Sequence, residues 1–134
     1  MRIFTSYFAK VGKLSEKGII PISISLYPPK WWNGFQMKEL APSKSMLSGS
    51  IFEEEYIRLY NTNILEKLDA KELINKLSER YKNRDIALCC FESPDKFCHR
   101  QLVAKWIENE TGIKVEEYKF ETIKQAQNIQ LGLF

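Results

Sequence analysis

Cys98, His99 and Arg100 stand side by side, and each can do chemistry. A thiol near a helix N-terminus is shifted toward the thiolate, the form that attacks electrophiles. His99 is the only histidine in the chain, so a proton shuttle working near neutral pH uses it or a carboxylic acid with a shifted pKa. Arg100 offers a planar fork that holds a phosphate or carboxylate through two parallel hydrogen bonds. Glu92 and Asp95, just upstream, add carboxylates for acid–base or orienting work. The catalytic candidates are therefore His99, Cys98 and Glu92, and Arg100 is the candidate anion clamp. Successive helical side chains diverge by about 100°, so the triplet cannot converge on one atom, and His99 and Arg100 are stronger candidates than Cys98. The plainer alternative is a small packed cysteine, with Arg100 paired to Glu92 or Asp95.

The flanking residues say what positions the triplet. Ile86 to Phe91 is an unbroken apolar run, the pattern of a strand covered on both faces in a parallel sheet. Phe91–Asp95 breaks it. Either Ser93, with Pro94 at the first helical position, or Asp95 caps the helix that follows. Leu102, Val103, Trp106 and Ile107 keep helical spacing, and Gly112 is a suitable stop. The triplet then lies in or near a helix's first turn, beyond the carboxyl end of a central strand. Open α/β sheets bind ligands there, and a helix N-terminus favours anions.

Leu88-Cys89-Cys90-Phe91-Glu92 followed by Cys98-His99-Arg100 and an amphipathic helix resembles the family catalogued as domain of unknown function 488, which carries a strand ending in Cys-x-Glu and then a Cys-His-Arg triplet. Pro28–Gly34 and Leu40–Ser43 resemble a branch of it. The likeness runs from the first strand to Phe120 and implies an α/β fold without implying a particular activity. Ser23 and Ser25 stand where much of the family has an Asp-x-Arg pair.

The remaining elements complete the same architecture. Arg2–Phe8 reads as a first strand. Lys10, Lys13 and Lys17 surround a Gly-containing, solvated loop. Ile19–Tyr27 reads as a second strand with Ile20, Ile22, Ile24 and Leu26 alternating, and with Pro21 near its start, where a missing N–H does least harm. Pro28–Gly49 is long for a plain connection. It carries Trp31 and Trp32, of which one plugs the core and the other is open to stack on a base or sugar. Ser50-Ile-Phe-Glu53 has the form of a capping box, opening a helix whose face is Phe52, Tyr56, Leu59, Tyr60, Ile64 and Leu68. Asp69 opens another, with Leu73, Ile74, Leu77 and Tyr81 on one face and basic residues on its solvated side. Lys114–Phe120 alternates as a final strand. The prediction is a three-layer α/β sandwich with a mostly parallel central sheet, comprising residues 1–120, and a tail over 121–134.

With 134 residues and a net charge of +3, the chain suits one mildly basic domain, which permits a nucleotide or nucleic-acid partner. No run spans a membrane and the start lacks a signal peptide, so a cytoplasmic location is expected. Three cysteines, an odd number, argue against a disulfide framework. The spacing of Cys89, Cys90, Cys98 and His99 is not that of a metal site, and strand neighbours face opposite ways, so no metal is assigned.

Past Phe120 a short helix over 121–128 is possible. The chain then ends Gln130-Leu131-Gly132-Leu133-Phe134, which resembles the pentapeptide by which bacterial replication and repair proteins hold the DNA sliding clamp. That resemblance implies Leu131, Leu133 and Phe134 as apolar anchors and Gln130 as the hydrogen-bonding residue. Two functions follow. One is an enzyme acting on nucleic acid or a phosphate-bearing nucleotide-like ligand at the Cys98–Arg100 turn, delivered by the tail. The other is a non-enzymatic clamp-binding module in replication or repair.

Overall fold

The computed structural model describes residues 1–120. In chain order its elements are β1 (Ile3–Tyr7), α1 (Val11–Glu16), β2 (Ile20–Ser23), β3 (Phe35–Gln36), α2 (Glu53–Asn63), α3 (Ala70–Arg80), β4 (Ile86–Cys90), α4 (His99–Thr111) and β5 (Glu116–Glu117). The five strands form one parallel sheet in the order β3-β2-β4-β1-β5. β4 is therefore central, and every residue from Ile86 to Cys90 is buried, as its uninterrupted apolar run requires.

The two faces of the sheet are covered unequally. On one face Ile3, Ile22, Ile86 and Leu88 pack under Tyr60, Leu73, Leu77, Val103 and Ile107 from α2, α3 and α4. On the other, Ala87 and Cys89 pack with Phe8, Leu14 and Ile19, and Trp32, Tyr118 and Phe120 close the layer. Helix, sheet and helix make three layers, an α/β fold. Burying a leucine such as Leu77 or Leu88 completely is worth about 2 kcal/mol, so the thicker layer carries most of the stability. No described helix is long and apolar enough to cross a membrane.

Several local expectations change. The lysine-flanked stretch after β1 is a turn and a short helix, because Leu14 is an apolar anchor that docks completely on the sheet. β2 and β5 are shorter than their alternation suggests. Pro21 sits inside β2, yet β3 pairs only from Ile22 onward, and Ile20 and Ile24 send their N–H groups toward β4. Proline is tolerated because its missing donor would face no strand. The capping box at Ser50 does not form: Ser50 Oγ is taken by Ser48 Oγ at 2.8 Å, and α2 starts at Glu53 after an uncapped Phe52. Phe52 is 85% exposed rather than on the packed face. Glu53, Glu54 and Glu55 suit the positive end of the helix instead. Asp69 does cap α3, accepting from the Glu72 N–H at 3.1 Å, and Gly112 ends α4 in the left-handed region at φ 75°.

Candidate functional site

β4 delivers Cys90 at its carboxyl end, and the chain returns to the same point eight residues later. Residues 91–97 form a tight loop in which the Lys96 N–H donates to the Ser93 carbonyl at 3.0 Å and the Ser93 hydroxyl donates to Asp95. That bond holds the exposed Asp95 carboxyl below its ordinary pKa. The loop does not begin a helix at Ser93 or Asp95. Cys98, in extended conformation, is the N-cap, and His99 is the first helical residue. No side chain caps this end, so the positive pole of α4 faces the cysteines.

Cys98 Sγ meets Cys90 Sγ in bonding contact, with the two Cα atoms 7.0 Å apart. The odd cysteine count argued against a disulfide framework; this single contact arises because the loop folds the N-cap back over the strand end. Cys89 points to the other face, as strand geometry requires, and is the free cysteine. Burial pushes its thiol up to about 12.

His99 is buried against Tyr60, ring centroids 5.4 Å apart. Its Nε2 lies 2.7 Å from the Ile24 carbonyl. A carbonyl only accepts, so Nε2 carries the proton and Nδ1 presents a lone pair, 3.9 Å from Cys98 Sγ. Burial lowers the imidazole pKa to about 4, outweighing the carbonyl's opposing effect, so His99 is neutral at neutral pH. Tyr60 is locked in place by donating its hydroxyl to the Leu40 carbonyl at 2.5 Å, and burial raises that hydroxyl's pKa well above its ordinary value.

Arg100 is fully buried. Its Nε and Nη2 donate to Glu117 Oε1 and Oε2 at 2.8 and 3.2 Å, and its Nη1 donates to Cys90 Sγ at 3.1 Å. Thr5 Oγ1 adds a bond to Glu117 Oε1 at 2.7 Å. The partner of Arg100 is thus Glu117 across the sheet, not Glu92 or Asp95. Three of the five guanidinium N–H donors are thereby used, two on Glu117 and one on the Cys90 sulfur.

A cavity of about 490 Å³ opens over Cys90, Cys98 and His99. Its walls are largely apolar and aromatic, including Leu26, Met46, Tyr56 and Phe97, with Ser25, Glu53 and Glu92 as polar members. Ser25 comes from the chain just past β2, where its N–H is held by Ser23 Oγ at 3.3 Å. Because β2 and β4 are parallel, the loop after β2 and the Cys98 turn share one edge of the sheet. Tyr27 and Phe91 line the cavity and are also 59% and 51% exposed. Phe91 continues edge-to-face onto Phe8, centroids 4.8 Å apart.

The tryptophans divide as the sequence suggests. Trp32 is half-buried beside Phe8 and donates its indole N–H to the Phe35 carbonyl at 3.2 Å. Trp31 is 60% exposed beside Phe8. Neither lines the cavity, so of the sequence-nominated residues the structure brings Cys98, His99 and Glu92 to it. Arg100 lies behind Cys90. Gln130, Leu131, Leu133 and Phe134, and the helix expected over 121–128, lie outside the described residues.

Sequence reasoning missed Glu117, Tyr60 and the pairing of Cys90 with Cys98. A signal for Glu117 existed. Alternation along the last strand places it on the same face as Val115, which is buried, and a charge at a core-facing position demands a partner.

One family model matches residues 17–111 of the chain; its description is DUF488-N3a, active DUF488-N3 subclade. No curated protein and no solved structure matches the chain.

Proposed function

The chain belongs to the DUF488-N3a family, the active DUF488-N3 subclade, and from that premise we propose that it is an enzyme of the cytoplasm acting on nucleic acid or a nucleotide-like ligand. The observation that carries this reading is an aromatic-walled cavity directly over the Cys90, Cys98 and His99 side chains. A ring of nucleobase size fits a cavity of about 490 Å³ with room for water, and Tyr56 and Phe97 offer apolar faces to it. Glu53 and Glu92 make the interior unsuited to a phosphate but suited to an amino-bearing base edge, which a carboxylate accepts. The phosphates then stay outside the mouth. Tyr27, Phe91 and Trp31 are exposed aromatics near that edge of the sheet, and such platforms stack neighbouring bases of a single strand.

In this reading Cys98 and His99 supply the reactive atoms at the cavity floor and Glu92 exchanges protons at its wall. Arg100 acts on the Cys90 sulfur instead of on substrate. Trp31 is the ligand-facing tryptophan and Trp32 its support. The terminal Gln130-Leu131-Gly132-Leu133-Phe134 supports delivery to a bacterial sliding clamp. The alternative, a clamp-binding module without chemistry, needs that tail and not the cavity.

The test is to incubate the reduced full chain with short single strands and with free nucleotides, and to follow substrate mass. The expected result is a mass change lost in Cys98→Ser, His99→Asn and Glu92→Gln while binding persists. Binding to the clamp with no mass change in any substrate, and no loss of function in those variants, favours the module.

A further inference from the structure

Cys90 Sγ, Cys98 Sγ and a ring nitrogen of His99 all lie within 4.8 Å of one another. We infer that Cys90, Cys98 and His99 form a zinc site with an open fourth position facing the cavity. The inference does not depend on which ligand the cavity accepts, but it revises the roles given above to Cys98 and His99: with the ion bound they are its ligands and not free reactive groups.

Four observations converge on it. The first is the donor set. Two thiolates and one imidazole are what zinc selects, and three protein ligands with one vacant position is the pattern of catalytic sites. The second is the histidine. Its Nε2 is committed to the Ile24 carbonyl at 2.7 Å, so the lone pair on Nδ1 is the one available to a metal. A ligating histidine characteristically donates its other N–H to a backbone carbonyl in this way, which fixes the tautomer and ring orientation.

The third is distance. With Zn–S about 2.3 Å and Zn–N about 2.0 Å, two ligands of a tetrahedral ion stand about 3.6 Å apart. Cys98 Sγ and His99 Nδ1 are 3.9 Å apart, so both reach one ion with a shift of a few tenths of an ångström. The Cα atoms of Cys90 and Cys98 are 7.0 Å apart, at the outer limit for cysteines that bridge each other and comfortable for two that share an ion. Reduction frees the two sulfurs to move apart to the roughly 3.8 Å that separates two thiolates on one tetrahedral ion.

The fourth is charge. Cys90, Cys98 and His99 are all buried, and two thiolates without a counterion are too costly there. A divalent ion makes the cluster neutral. The neighbouring Arg100–Glu117 pair is already internally neutral, and Arg100 Nη1 donates to Cys90 Sγ at 3.1 Å, the outer hydrogen bond that orients a thiolate ligand. Because Cys90, Cys98 and His99 all line the cavity, the vacant position opens into it. A water bound there is acidified toward neutral pH and becomes a nucleophile. Cys89 takes no part, since it faces the other side of the sheet.

The experiment is cobalt titration of the full chain, fully reduced and freed of metal. One equivalent is expected to give the intense visible bands of tetrahedral cobalt and a thiolate-to-cobalt charge-transfer band, both erased by added zinc. Cys98→Ser loses most of the charge-transfer intensity, His99→Asn shifts the visible bands, and Cys89→Ser changes neither. Weak octahedral bands only, or a tetrahedral spectrum undiminished in Cys98→Ser and His99→Asn, overturns the site. The wild-type spectrum decides even where one of these variants fails to fold. Oligonucleotide binding measured on the same metal-free sample reads the cavity separately, so loss of the metal site and loss of the proposed function are told apart.

Discussion

Replacing Glu117 with Ala isolates the ion pair that holds the buried Arg100. Arg100 has no exposed side-chain surface, whereas the Glu117 side chain keeps 27%. Removing the carboxylate leaves a guanidinium in the core with only the Cys90 sulfur and the Tyr7 ring, 5.8 Å from its Cζ, as polar company. Breaking a buried ion pair from one side costs about 3–5 kcal/mol. The partial exposure of Glu117 admits water, which places the cost near the lower bound, about 3 kcal/mol. For a domain of this size that lowers Tm by about 10 °C. Loss of the Thr5 bond is included in the same perturbation. Arg100→Met, by contrast, strands a carboxylate that still has Thr5 and solvent, so it destabilises less than Glu117→Ala. In the double variant no charge is stranded, and its loss is smaller than the sum of the single losses by at least about 1 kcal/mol. Urea denaturation of the four proteins completes the cycle. A Glu117→Ala midpoint within error of the parent, or strictly additive losses, refutes the claim that this pair holds Arg100 in place.

Other predictions are simpler. Asp69→Ala removes the cap of α3 and lowers stability by about 1 kcal/mol in urea. In chelator, the contribution of His99 to the stability of the metal-free protein is expected to be constant above about pH 6.5. The native His99 pKa is about 4, below the unfolded value, so the unfolded chain binds the extra proton first and stability falls between pH 6.5 and 4. The loss reaches about 3 kcal/mol, and denaturation in His99→Gln should show a correspondingly flatter profile over that window. Cys89, with its thiol raised to about 12, should escape alkylation at pH 8 in the native protein and be modified on unfolding, as peptide mass analysis will show. A chain ending at Ile129 should lose binding to a bacterial sliding clamp; retained binding removes the tail from the account.

How much of this was legible depended on how local the information is. β4 could be read because an apolar run without alternation has one economical placement, the middle of a parallel sheet. Asp69 and Gly112 could be read because capping is decided within four residues. β3 could not: Phe35 and Gln36 pair only through their backbone with β2, and two residues carry no period. The Ser50 box failed because its hydroxyl had a nearer partner in Ser48, a competition that depends on how the chain turns between them. At the site, the sequence put Cys98, His99 and Arg100 at a helix start but could not show that the loop closes Cys98 onto Cys90, a contact set by the fold of residues 91–97. Arg100 looked like a free anion clamp because its partner, Glu117, lies seventeen residues further on, on the strand at the opposite edge of β1.

The central claim is that the cavity over Cys90, Cys98 and His99 receives the ring of a nucleotide. Equilibrium binding of the reduced protein to a short single strand, compared with an abasic strand of the same length and charge, tests it most directly. Base–aromatic stacking is worth about 1–3 kcal/mol per base, so the account predicts roughly tenfold or weaker binding of the abasic strand, with Phe91→Ala and Tyr27→Ala each erasing part of the difference. Equal affinity for the two strands, or no binding of either, would contradict it.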